Sequence, residues 1–145
     1  MTVRTWFTIS ALVLIALSVA IVFRLRQPAP QPEILARVGQ IRLEGELRHS
    51  CWPKSGGEIT CLSDDQKTPG IRTIPKSGEM DFSAYPVEPN DGTITFEDAS
   101  GDVVLEEDWD DEIGYDLRSG LYDITVNADY GDEASVRYLF RVRIS

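Results

Sequence analysis

Apolar side chains fall along this chain in two patterns, one continuous and one alternating. From Trp6 to Phe23 the sequence reads WFTISALVLIALSVAIVF, eighteen residues without a charge. A helix rises about 1.5 Å per residue, so this run would cover about 27 Å, close to the roughly 30 Å hydrocarbon core of a bilayer. It predicts a single N-terminal transmembrane helix. Beyond residue 35 no helical period of useful length recurs, and apolar residues instead alternate between clusters of Gly, Asp, Asn, Ser and Pro.

The alternation is clearest at the end of the chain. Val136, Tyr138, Phe140, Val142 and Ile144 fall on one face of a strand, with Arg137, Arg141 and Arg143 on the other. One face belongs to a core and the other to water. Before it, Tyr122, Ile124, Val126 and Ala128 alternate with Asp123, Thr125 and Asn127, and Tyr130-Gly131-Asp132 closes a hairpin. A second hairpin pairs residues 93–96 with 103–105 around Asp98-Ala99-Ser100-Gly101, residues suited to tight turns. Residues 40–51 and 58–62 flank Pro53-Lys54-Ser55-Gly56-Gly57, and residues 79–84 add a short strand. About seven strands at short spacing predict an all-β domain, a β-sandwich.

The flanks of the apolar run bear on its fate. Trp6 at one end and Arg24 and Arg26 at the other suit the two membrane interfaces. Ser18-Val19-Ala20 is a passable signal-peptide cleavage site, but the apolar run continues through Ile21-Val22-Phe23, longer than the usual signal sequence. The expectation is an uncleaved signal-anchor over residues 1–23, with residues 6–23 in the lipid bilayer. Arg24 to Ile34 carries Pro28, Pro30 and Pro32 at alternate positions, which ends the helix and predicts an extended stalk over residues 24–34. Residues 35–145 form the domain. Arg4 on one side against Arg24 and Arg26 on the other leaves orientation undecided by charge. The anchor position and two cysteines spaced for a disulfide place the domain outside the cytoplasm.

Charge narrows the partners. Residues 35–145 hold 23 Asp plus Glu against 11 Lys plus Arg. Such a surface repels phosphate backbones, so nucleic acid is excluded as a partner.

Leu117-Arg118-Ser119-Gly120-Leu121-Tyr122, ahead of an alternating strand, resembles the L-x-x-G-x-Y approach to the penultimate strand of bacterial immunoglobulin-like and fibronectin-like domains. The stretch Gly45 to Pro69, with Cys51-Trp52 and Cys61, is similar to small uncharacterised bacterial membrane-anchored surface proteins. The resemblance implies an immunoglobulin-like sandwich displayed at a cell surface, with the Tyr122 hydroxyl bonding back to nearby backbone at a structural corner. It implies no reaction.

Chemistry-bearing residues are few. Cys51 and Cys61, flanking a hairpin, are expected to form a disulfide closing a loop of about ten residues. With His49 they could be read as a metal site, but a structural zinc site needs four ligands and a copper site would add methionines, of which the domain has Met80 alone. His49 is the one histidine and has no nucleophile motif beside it, so it is expected on a strand surface.

From Asp91 to Glu112 there are ten carboxylates and no Lys or Arg. This region is expected as a solvated loop. Two functional readings stand beside that: a Ca²⁺ site drawn from Asp108, Asp110, Asp111 and Glu112, and a docking patch for a basic protein or envelope partner built on Glu106, Glu107 and Trp109. The expectation is a membrane-anchored binding or structural module, with calcium as the one candidate cofactor, and not an enzyme.

Overall fold

The computed structural model describes residues 3–25, 30–54 and 56–145. Residues 26–29, which hold Pro28 and much of the expected stalk, lie outside the described residues, as does Ser55.

The apolar run is helical over Val3–Leu25, α1. Within it, Thr5–Phe23 has a mean hydropathy of 2.5 and none of its length is buried by protein. The helix outlasts the apolar run at both ends, and at its C-terminal end the first residue to restrict the backbone is Pro28.

The remainder is all-β, with eleven strands where about seven were expected: β1 (Glu33–Val38), β2 (Ile41–Arg42), β3 (Gly45–Pro53), β4 (Ile59–Ser63), β5 (Ile71–Ile74), β6 (Ser77–Tyr85), β7 (Asp91–Asp98), β8 (Val103–Asp108), β9 (Glu112–Asp116), β10 (Gly120–Gly131) and β11 (Ala134–Ile144). The additions are β1, β5 and β9, and the strand expected over residues 40–51 is divided into β2 and β3. Glu33 and Ile34, expected at the end of the stalk, open β1, and Pro32 just before them is already buried. The domain therefore begins earlier than residue 35.

Two sheets share the strands. The smaller runs β2-β1-β6-β9, and the larger runs β4-β3-β11-β10-β7-β8, with β5 lying parallel to the end of β11. Alternation delivers one face of each strand to the space between them. Ile34 and Ala36 from β1, Met80 and Phe82 from β6, and Ile113 and Tyr115 from β9 enter one buried cluster with Ile94, Phe96, Ile124, Val126, Val136 and Phe140 of the larger sheet. Phe96 and Tyr115 meet across the gap with ring centroids 6.5 Å apart. This is a β-sandwich. Tyr122 Oη donates to Arg118 O at 2.9 Å, the tyrosine corner of immunoglobulin-like domains.

Hairpin β10–β11 is the longest ladder, with Asp123 opposite Arg141. These two form a bidentate ion pair, Arg141 Nε to Asp123 Oδ1 at 2.6 Å and Nη2 to Oδ2 at 2.9 Å. Its reversal uses Asp132 at φ 49° and Glu133 at φ 65°. Two consecutive positive φ values are the geometry of a type I′ turn, whose twist matches that of the strands.

Candidate functional site

Residues excluded from the core by alternation line the outer face of the larger sheet, and strand order decides which of them meet. Successive register pairs place His49 of β3 beside Arg137 of β11, Arg137 beside Asn127 of β10, Asn127 beside Thr93 of β7, and Thr93 beside Asp108 of β8. Five strands thus contribute one polar side chain each to a single row. The neighbouring row runs Asp91, Asp129, Ser135 and Cys51. The two rows, Cys51 apart, line a shallow concavity of about 390 Å³.

Hydrogen bonds tie part of the row together. Arg137 Nε donates to Asn127 Oδ1 at 2.7 Å, and Asn127 Nδ2 donates to Thr93 Oγ1 at 3.4 Å. His49 continues the network toward the sheet edge, its Nδ1 lying 2.7 Å from Ser63 Oγ of β4 and its Nε2 lying 3.3 Å from Cys51 Sγ. The row is polarised, with His49 and Arg137 at one end, a neutral amide and hydroxyl in the middle and Asp108 at the other end, while Asp129 and Asp91 stand beside the neutral middle in the neighbouring row. Such a surface can hold a ligand that offers several hydrogen bonds and carries more positive than negative charge.

Cys51 and Cys61 are joined as a disulfide between β3 and β4, with Cα atoms 4.0 Å apart. It sits on the same outer face as His49. On the inner side of β3, Trp52 stands edge-on to Tyr130, centroids 5.2 Å apart.

The acidic region is not a loop. Glu106, Glu107 and Asp108 belong to strand β8, Glu112 opens β9, and only residues 109–111 cross between the two sheets. The crossing is pinned at both ends: Trp109 N donates to Gly92 O at 2.9 Å, and Phe82 N donates to Asp111 O at 2.8 Å. Gly92 is required there, since a Cβ would overlap the backbone oxygen of Asn127. Trp109 is half-buried against the core, its ring 6.5 Å from Phe82. It plugs the sandwich end and is not the exposed aromatic anchor expected of a docking patch. Glu106 shares the outer face with Thr95, while Glu107 lies opposite buried Ile94 on the other face, so the pair does not present one surface.

The expected calcium ligands Asp108, Asp110 and Glu112 line one shallow concavity of about 310 Å³, but their oxygens do not gather at a point. Asp108 faces out from the larger sheet beside Thr93, whereas Glu112 pairs with Asp81 on the smaller one. Among the described residues the one group of three ligand-type side chains with donor atoms within 4.8 Å of one another is His49, Cys51 and Cys61, not any set of carboxylates. The carboxylates near the crossing instead perturb one another. Hydrogen bonding with the Asp111 side chain and the Glu112 N–H holds the Asp110 carboxyl below the usual range. Repulsion from Glu79, then partial desolvation and the charges of Asp81, Asp111 and Asp110, pushes the Glu112 carboxyl up.

No family profile matches the chain. No curated protein matches it either. Among solved structures it is similar to the neutron crystallographic structure of a Jonesia denitrificans lytic polysaccharide monooxygenase, at 15% identity and a TM-score of 0.39, over 58% of this chain and 64% of that one. That neighbour is an enzyme, so the expectation that this chain is not one is withdrawn. A likeness this low assigns no reaction here.

Proposed function

We propose that the chain is a single-pass membrane-anchored module whose β-sandwich stands outside the cytoplasm and binds a ligand on the outer face of its larger sheet. The observation that carries the anchor is the bareness of α1. Trp6 is 66% exposed, Phe7 74% and Phe23 67%, so the helix presents apolar surface on every side with no protein to cover it. A bilayer supplies the missing solvent. The extracytoplasmic side is supported by the Cys51–Cys61 disulfide, a bond that persists in oxidising compartments and is rare in the cytosol. The resemblance to bacterial surface proteins points the same way.

The binding face is taken to be the row from His49 to Asp108, because it gathers five strands' polar side chains into one concavity. With Asp91, Asp108 and Asp129 against Arg137, its ligand is a protein or envelope component with exposed cationic groups. Photo-crosslinking residues placed in the full chain at Thr125, beside the row, and at Ser83, on the outer face of the smaller sheet, test this. Crosslinks to one defined partner from position 125 and none from 83, reduced several-fold by Asp108→Asn with Asp129→Asn, support the assignment. Equal crosslinking from both faces contradicts it.

A further inference from the structure

We propose that reduction of the Cys51–Cys61 disulfide converts this edge of the sheet into a binding site for a thiophilic divalent metal such as Zn²⁺, with Cys51, Cys61 and His49 as its ligands. The inference concerns the domain alone and is independent of its membrane anchoring.

The three donors are already together, all within 4.8 Å of one another. Bond lengths of about 2.3 Å for Zn–S and 2.0–2.1 Å for Zn–N set a tetrahedral S···N edge of about 3.6 Å. His49 Nε2 and Cys51 Sγ stand 3.3 Å apart, within a few tenths of that edge. Once the S–S bond is broken, the sulfurs need only separate to about 3.8 Å, the corresponding S···S edge. Strand pairing keeps them from drifting further, since Asp64 N donates to Arg48 O at 2.9 Å beside them.

The histidine is oriented as a ligand. Metal-bound imidazoles commonly donate their second ring N–H to an outer partner, which fixes the tautomer and the ring plane. Ser63 Oγ, 2.7 Å from Nδ1, occupies that position and leaves Nε2 aimed at the sulfur. Met80 is fully buried in the core, so among the described residues no soft fourth protein ligand is at hand, and water takes the open position. Three protein ligands with one open position, two of them thiolates, is an established zinc arrangement. Cys61 is exposed and His49 half-buried, which gives the metal a route in.

The chemistry balances through a dithiol reductant. The dithiol gives two electrons and two protons to the Cys51–Cys61 bond and becomes a disulfide itself, leaving two thiols on β3 and β4. Metal binding then displaces both thiol protons. While the disulfide stands, each sulfur is committed to the other and the site is closed.

The test uses the full chain in detergent, oxidised or reduced by a phosphine, titrated anaerobically with Co²⁺ as the probe. The reduced chain should take up one equivalent with a near-ultraviolet thiolate-to-cobalt absorption band, and the oxidised chain should show none. His49→Ala should weaken Co²⁺ binding at least tenfold, and Ser63→Ala about tenfold, the usual consequence of losing a partner that orients a ligand. Both variants keep the disulfide for folding, so a far-ultraviolet spectrum of the oxidised form separates misfolding from lost affinity. Absence of the band after reduction, loss of strand signal on reduction, or equal affinity in His49→Ala would overturn the proposal.

Discussion

Tyr115 carries a hydroxyl that the fold does not use. The side chain is 5% exposed, its Oη has no hydrogen-bond partner among the described residues, and burial pushes its pKa up. An unpaired buried hydroxyl costs about 1–3 kcal/mol, while the ring itself packs against Phe96. Tyr115→Phe should therefore raise stability by about 1 kcal/mol in chemical denaturation with an unchanged denaturant slope. Glu112 makes an opposite kind of test, because its strain depends on pH. Its folded carboxyl is pushed above the usual 4.5, so ionisation destabilises the native state. The relative benefit of the neutral form is present below that value and lost as pH rises through the raised one. Glu112→Gln should melt higher than the parent at neutral pH, and the gap should close on acidification below 4.5. A gap that widens on acidification would contradict the repulsion from Glu79 and Asp81.

Strands that alternate over five or more residues with a clean turn beside them were legible in the sequence; the rest were hidden by their neighbours. Ile34, Ala36 and Val38 alternate as well as any strand, but Pro28, Pro30 and Pro32 set an extended stalk immediately before them and absorbed β1. Ile113 and Tyr115 alternate in β9, yet they stand behind seven residues in which only Trp109 is not acidic. Dense charge resembles a loop in sequence, although strand edges tolerate charge well and use it to refuse further pairing. The candidate site was half legible. Parity along β10 and β11 sends Asn127 and Arg137 outward, but that His49 and Asp108 flank them follows from strand order, a non-local property that no short window carries. The turn between β10 and β11 yields its own prediction. Asp132 and Glu133 hold positive φ at a cost that Asn and Gly largely avoid. Replacing the pair by Asn-Gly should stabilise the domain by about 1 kcal/mol, read as a rise in melting temperature with the same β signal.

At the scale of the whole chain, a basic-flanked apolar helix and an acidic, disulfide-closed sandwich ask for two different environments. Thr5–Phe23 of the helix is long and apolar enough to cross a membrane and none of it is buried, and the sandwich carries its own core of residues from both sheets. That division is what makes a membrane address and an external binding face one account. Protease added to intact cells making the full chain, without opening the membrane, is the most direct measurement of it. The account predicts that the sandwich is clipped from its anchor from outside, leaving a fragment of about the size of α1 that stays with the membrane after alkaline extraction. A chain protected until the membrane is broken, or one released whole into the alkaline wash, would contradict it.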